Sequence, residues 1–187
     1  MADLTPSILA VLILDAEGRR ICTKYHTRRG VRFLGGDADA EVAFEAKLFK
    51  KTKNMTTAFV DSDAVLVDKQ VVVFQARADS YIYVVAREEE NEVILDNVLS
   101  GLVVALQILL QGSFESHVLL QNLGTVMLAV DEVAENGTIL EVDGMAIANR
   151  VLMRGIDGNQ QMVDMSVSDA MKIAKEQLFK TMESTMG

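Results

Sequence analysis

The chain has 187 residues, 50% of them hydrophobic, and a formal net charge of −9 at pH 7. This length suits one domain with a C-terminal appendage, and the apolar fraction is enough for a sizeable core, which excludes a largely disordered protein. The single cysteine, Cys22, excludes an intrachain disulfide and a cysteine zinc cluster and favours a reducing compartment, while the acidic balance disfavours nucleic acid as a partner.

The first third of the chain predicts two strands and a helix. A continuous apolar run at 8–14 indicates a strand buried on both faces, and a hairpin turn at 15–18 leads into a second strand at 20–25. The basic, glycine-containing stretch 26–36 is predicted to be a loop. Residues 37–54 follow as an amphipathic helix with acids first and lysines last, the order that the helix dipole favours. Its predicted buried stripe is Phe44, Leu48 and Phe49.

Three strands and the most apolar helix come next. The β-rich runs at 64–67, 71–76 and 81–86 are separated by short turns, which predicts an antiparallel meander. Residues 92–111 have helical spacing, and their apolar surface wraps nearly all round the helix, so it must be covered on more than one side. Polar residues in its first turns disfavour a membrane span, which needs ~20 predominantly apolar residues.

The remainder of the chain predicts shorter helices. Residues 115–134 are helical in pattern, with an interruption at Gly124 and an end at 136–137. An extended piece at 138–142 precedes a helix at 145–153. The predicted organisation is a domain at 1–153, a linker at 154–165, and a C-terminal helix and tail at 166–187.

The order of these elements predicts an α+β fold. Two strands, a helix, three strands and a helix would form a five-stranded antiparallel sheet flanked by helices, with additional C-terminal helices.

Enzyme signatures are absent from the sequence. It has no glycine-rich phosphate loop, dinucleotide fingerprint, zinc-binding His-Glu-x-x-His pattern or nucleophile elbow. His26 and His117, the only histidines, are interpreted as surface or partly packed residues. Asp131 and Glu132 are the best candidate carboxylate pair, but neighbours on a helix point about 100° apart, and we interpret both as solvent-facing charge. We therefore predict no catalytic residue, no cofactor and no metal site.

Positive charge is concentrated in one segment of this acidic chain. Residues 19–53 contain ten basic and four acidic residues, a local charge of +6. One interpretation is a solvated surface without an electrostatic task. The other is a basic edge that meets anionic lipid or an acidic partner, for which we select Arg28, Arg29 and Arg32.

Several motifs closely resemble the zeta subunits of coatomer, and the likeness spans almost the whole chain. More loosely, 130–132 followed by Gly137, Ile139 and Glu141 resembles the sigma chains of clathrin adaptors. The zeta-like motifs are Ala-Val-Leu-Ile-Leu-Asp at 10–15, Ala-Phe-Glu at 43–45, Leu-Leu-Gln-Asn-Leu at 119–123, Leu-Ala-Val-Asp-Glu-Val at 128–133, Gly-Thr-Ile-Leu-Glu at 137–141 and Asn-Arg-Val at 149–151.

The resemblance implies a longin-like fold without enzymatic activity or a small-molecule substrate. It implies a small subunit of the coatomer (COPI) vesicle coat, forming an obligate heterodimer with the trunk of the gamma subunit and contacting other coatomer subunits. Its expected role is Golgi-to-ER retrograde and intra-Golgi vesicle transport. The expected location is cytoplasmic and peripheral on Golgi membranes and COPI vesicles, with indirect attachment through the assembled coat and an Arf-type GTPase.

Two other function classes remain open. One is a free-standing longin or profilin-like binding module of a tethering complex or a GTPase regulator, and the other is an enzyme on an unfamiliar scaffold. The coat interpretation predicts that a partner covers apolar surface, because the later helices carry more of it than one sheet can hide. The residues selected for this contact are Leu119, Leu120, Met127, Leu178 and Phe179.

Overall fold

The computed structural model describes residues 6–28, 30–55 and 62–158. Its main element is a five-stranded antiparallel sheet with the spatial order β2-β1-β7-β6-β5. A two-stranded hairpin, β3 with β4, follows β2. The strands up to this point of the chain are β1 (Ala10–Asp15), β2 (Arg20–Tyr25), β3 (Thr27–Arg28), β4 (Val31–Arg32), β5 (Asp63–Val67), β6 (Gln70–Arg77) and β7 (Ser80–Arg87). The predicted α+β class and five-stranded antiparallel sheet are confirmed.

Helices cover both faces of the sheet. One face packs against α1 (Ala38–Thr52), and the other packs against the later helices. A small hairpin, β8 (Ala134–Glu135) with β9 (Thr138–Ile139), connects two of those helices. They are α2 (Glu92–Leu109), α3 (Ser116–Gln121), α4 (Leu123–Val133) and α5 (Gly144–Gly158).

The β1 strand separates the two cores. All six of its residues are buried, because β2 and β7 flank it and helices lie above and below it. Val11 and Ile13 point into the core that contains α2, whereas Leu12 and Leu14 point into the core that contains α1. This arrangement confirms a strand buried on both faces and explains its continuous apolar run.

Helix α2 is the central core helix. It packs against β6 and β7 on one side and against α4 and α5 on the other. The Asn91 side chain caps its first turn by accepting a hydrogen bond from the Val93 amide at 2.9 Å. By length and composition α2 is able to span a membrane, but eight of its residues are buried inside the fold. The predicted cover on more than one side is therefore supplied by the chain itself.

Two glycines allow α2 and α5 to approach closely. A Cβ added to Gly101 would lie 2.1 Å from the carbonyl oxygen of Val142, and one added to Gly144 would lie 2.7 Å from the carbonyl oxygen of Gly101. Both distances are too short for any side chain. The start of α5 thus lies directly on the backbone of α2.

The predicted helix at 115–134 breaks at a different residue from the one expected. Asn122 leaves the helical region, with φ −108° and ψ 27°, and separates α3 from α4. Its side-chain amide donates to the Val118 carbonyl at 2.9 Å, in addition to its own backbone amide at 3.0 Å. Gly124, the predicted interruption, stays within α4.

Asn136 and Gly137 form the turn of the β8–β9 hairpin instead of the predicted helix end. Both have positive φ, 50° and 80°, as a two-residue hairpin turn requires. Helix α5 then continues to Gly158, beyond its predicted end and into the predicted linker. The rest of that linker and the predicted C-terminal helix lie outside the described residues.

The predicted loop at 26–36 contains regular structure. The β3–β4 hairpin turns at Gly30, which has φ 78°, and a tight turn at Phe33–Gly36 follows, in which residues 34–36 all have positive φ. Phe33 packs between Tyr25, at 6.1 Å between ring centroids, and Phe44, at 5.4 Å. These aromatic contacts hold the segment after β4 against β2 and the middle of α1.

Candidate interaction surfaces

Two buried glutamates attach α1 to the sheet. The Glu45 carboxylate accepts hydrogen bonds from Arg20 Nε on β2 at 2.5 Å and from the Tyr25 hydroxyl at 2.5 Å. Burial, followed by this bond to Glu45, raises the pKa of Tyr25, which keeps the phenol protonated. In the sequence Glu45 belongs to the zeta-like motif at 43–45 and to the acids of the amphipathic helix, and neither pattern indicates its burial.

The second glutamate of α1 changes the interpretation of the basic edge. Glu41 is buried, and its Oε1 lies 2.9 Å from an Arg32 guanidinium nitrogen. The Arg32 guanidinium also lies 5.8 Å from the centroid of the Tyr25 ring. Arg32 therefore neutralises an internal carboxylate. The Arg28 side chain and Arg29 lie outside the described residues.

Asp131 and Glu132 diverge as predicted but occupy different environments. Asp131 is half exposed and pairs with Lys24 of β2 at 2.6 Å. Glu132 is buried, and its carboxylate contacts Arg154 at 2.6 Å and Arg150 at 3.7 Å. The interpretation as solvent-facing charge was wrong for Glu132, because α5 packs over that side of α4.

The reactive side chains of β2 and its C-terminal end are buried away from solvent. Burial lowers the pKa of His26 to about 4, with a smaller effect from Lys24, and burial raises the pKa of Cys22 to about 11. Both groups are therefore neutral near pH 7. The interpretation as a surface or partly packed residue was wrong for His26, which is buried, and is confirmed for His117, which is exposed. Within residues 6–28, 30–55 and 62–158, no three potential metal ligands cluster.

The residues selected for a partner contact separate into three groups. Leu119 is fully buried in the core beneath α3 and is not available to a partner. Leu120 and Met127 are each 52% exposed. Leu178 and Phe179 lie outside the described residues. The surface candidates that the structure places are thus Leu120 on α3 and Met127 on α4.

A further apolar surface lies where α5 crosses α2, and we call it the α2–α5 seam. It consists of Val104, Val142 and Met145, which are each more than 40% exposed. A Cβ added to Gly144 would lie 2.6 Å from Val104 Cβ, and one added to Gly101 would meet the Val142 carbonyl, so the three residues border the close approach of the two helices. Sequence analysis missed this seam because the all-round apolar pattern of α2 did not show which residues the chain leaves uncovered.

Comparison with known proteins identifies the family. The clathrin adaptor complex small chain family matches residues 7–157, which is most of the chain. The chain belongs to this family. Membership places it among the small subunits of multi-subunit coat complexes, and it confirms the resemblance seen in the sequence.

Curated relatives within this family are coatomer zeta subunits. Coatomer subunit zeta-1 of Oryza sativa subsp. japonica is 34% identical over 95% of this chain and 97% of its own length. Coatomer subunit zeta-1 of Arabidopsis thaliana is 31% identical over 96% and 98%. Coatomer subunit zeta-1 of Homo sapiens is 34% identical over 92% and 90%.

A structural comparison supports the same fold. A chain of a homology model of the full-length AP-3 complex in a stretched open conformation aligns with a TM-score of 0.61. It covers 80% of this chain and 94% of that chain at 15% sequence identity. The predicted longin-like fold of the adaptor small chains is confirmed.

Three of the zeta-like motifs converge in one ionic cluster. Arg150, from the motif at 149–151, contacts Glu141 at 3.0 Å and Glu132 at 3.7 Å, and each glutamate comes from a different motif. Hydrogen bonds from the amides of Asp143 and Val142 lower the pKa of Glu141 and keep it ionised. The cluster joins α4, the segment after β9 and α5.

Proposed function

We propose that the chain is the zeta-type small subunit of a coatomer (COPI) coat and binds the trunk of a gamma-type large subunit as an obligate heterodimer. The observation that carries the proposal is the similarity to coatomer zeta subunits over almost the full length of both chains. The proposed role is structural, in Golgi-to-ER retrograde and intra-Golgi vesicle transport. The chain would be cytoplasmic and peripheral on Golgi membranes and COPI vesicles, with attachment through the other subunits and an Arf-type GTPase.

The chemistry of the described residues supports a structural role. The buried glutamates pair with arginines from other elements, so their charges serve packing between α1 and β2 and between α4 and α5. His26 and Cys22 are buried and neutral near pH 7. Neither side chain is therefore an activated nucleophile or an accessible base.

Exposed apolar side chains support the partner contact. Leu120, Met127 and the α2–α5 seam all lie on the side of the sheet that is covered by α2 to α5. Interfaces of permanent complexes have an apolar centre from which charged residues are depleted. We therefore place the contact with the large subunit on this side of the molecule.

Reconstitution of the heterodimer tests this proposal. The full-length chain is co-expressed with a gamma-type trunk, either unchanged or as Leu120→Asp with Met127→Asp. We expect one-to-one capture of the unchanged chain and at least a tenfold loss for the double variant, because hot-spot losses reach ~2 kcal/mol or more. Gln121→Asp adds one negative charge at an exposed neighbouring position and should bind normally.

The same experiment addresses the free-standing module. Such a module would be stable alone and would not need the large subunit. A monodisperse monomer that neither captures the trunk nor responds to the double variant contradicts the coat proposal and favours the module.

A further inference from the structure

Five exposed lysines lie at the C-terminal end of α1 and in the neighbouring β5–β6 turn. Lys47 forms an ion pair with Asp68 in that turn, and Lys51 Nζ donates to the Leu66 carbonyl at 2.6 Å. These two contacts place the last turns of α1 beside β5. Lys69 follows Asp68 in the same turn. We call this surface the lysine face, and its members are Lys47, Lys50, Lys51, Lys53 and Lys69.

Most of this positive charge has no carboxylate partner among the described residues. Lys51 contacts an uncharged carbonyl, and Lys47 is the one member paired with a carboxylate among the described residues. The acids of α1 lie away from the lysines: Glu41 and Glu45 are buried and pair with arginines, and the exposed Asp39 is in the first turn, at the other end of the helix. The lysine face is thus a positive surface on a chain whose net charge is −9.

Arginines pair with the buried glutamates, whereas lysines occupy the exposed face. This difference favours an extended negatively charged surface as the partner of the lysine face. Each buried glutamate described above contacts arginine, whose planar guanidinium suits a fixed carboxylate. The exposed cations of the lysine face are instead flexible ammonium groups, which act as point charges without a preferred geometry. Such groups suit the diffuse negative field of a membrane better than one carboxylate in a fixed position.

We propose that the lysine face docks on an anionic phospholipid surface. This lipid contact is additional to the coat role proposed above. It rests on that role in one respect, which is that a coat subunit works next to a membrane. The lysine face belongs to the α1 side of the sheet, whereas Leu120, Met127 and the α2–α5 seam belong to the other side. The chain can therefore hold a large subunit and contact lipid at the same time.

Vesicle flotation with the full-length chain tests the proposal, either alone or with the large subunit bound. The probe is phosphatidylcholine vesicles with and without phosphatidylserine. Lys50→Gln with Lys53→Gln removes two charges that have no ion pair in the described structure. The matched control, Gln107→Glu with Gln121→Glu, lowers the net charge equally at exposed positions on α2 and α3.

We expect the unchanged chain and the control to float with phosphatidylserine vesicles and the lysine variant to bind about tenfold or more weakly, because each lysine near such a surface contributes ~1 kcal/mol. Added salt should weaken the binding of the unchanged chain. Equal binding of the lysine variant and the control overturns the proposal, as does equal binding to both kinds of vesicle.

Capture of the large subunit, measured on the same samples, separates this proposal from the coat role. The lysine variant should capture the large subunit normally. If it loses the large subunit but still floats, the lysine face contacts protein and the lipid proposal fails. If no variant captures the large subunit while flotation depends on the lysines, the lipid proposal stands and the coat proposal fails.

Discussion

Gly101 provides a sharp test of the α2–α5 crossing. A Cβ at this position would lie 2.1 Å from the Val142 carbonyl oxygen and 2.8 Å from its carbonyl carbon. These atoms belong to the backbone, so no side-chain rotation relieves the contact. Gly101→Ala must displace the segment that begins α5 or distort α2.

The size of the effect follows from two opposing terms. Alanine is favoured over glycine inside a helix by ~0.5–1 kcal/mol, whereas overpacking a core costs typically ~1–3 kcal/mol and occasionally more. We expect Gly101→Ala to lower the free energy of unfolding by about 1–2 kcal/mol. Gly124 in α4 is the matched control, since a Cβ there meets nothing within 4 Å. Gly124→Ala should raise the free energy of unfolding by ~0.5–1 kcal/mol.

Urea unfolding followed by far-ultraviolet circular dichroism measures both variants, because the chain contains no tryptophan. The two midpoints should move in opposite directions while the slope with denaturant stays constant. If Gly101→Ala is as stable as Gly124→Ala, the close contact between α2 and α5 does not exist in solution, and the position assigned to α5 is wrong.

His26 is neutral in the folded chain, with a pKa lowered to about 4 from 6.5, so the unfolded chain takes up its proton first as the pH falls. The free energy of unfolding should therefore fall between pH 6.5 and 4, and His26→Gln should show a shallower fall. Glu132→Gln should cost about 1–3 kcal/mol because it weakens two arginine contacts, whereas Glu17→Gln at an exposed pair should cost less than ~0.5 kcal/mol. Leu119→Ala should cost ~2–5 kcal/mol and Leu120→Ala much less; equal losses would contradict the burial assigned to Leu119. Thermal or urea unfolding checks each of these values.

The sheet and the central helix were predictable from hydrophobic pattern. The apolar run at 8–14 indicated burial on both faces, and β1 has that environment because helices lie on both sides of it. The apolar surface of 92–111 indicated a helix covered on several sides, as α2 is. The hydrophobic pattern was sufficient here because the burial of many aliphatic side chains contributes most of the stabilisation of these elements.

The boundaries of the later helices were predicted wrongly because the residues at those positions are compatible with more than one local structure. Asn136–Gly137 suits a helix end and a hairpin turn equally, and the short strand β9 that selects the hairpin is only two residues long. Similarly, Asn122 and Gly124 both weaken a helix. The chain leaves the helical region at Asn122, whose side-chain amide donates to the Val118 carbonyl, while Gly124 stays within α4.

The ionic contacts were not predictable, because they join residues far apart in the sequence. Glu45 meets Arg20 across α1 and β2, and Glu132 meets Arg154 across α4 and α5. No spacing rule connects such pairs before the fold is known. For the same reason Arg32 was selected as a free charge, although Glu41 neutralises it.

Affinity purification of the tagged full-length chain from cells that naturally make it is the most direct test of the coat proposal. Mass spectrometry then quantifies the proteins recovered with it. We predict a large helical subunit of the coatomer gamma kind at one-to-one stoichiometry with the chain, accompanied by other coatomer subunits. Recovery of the chain as a free monomer, with no such subunit above the level of an untagged control, would contradict the proposal.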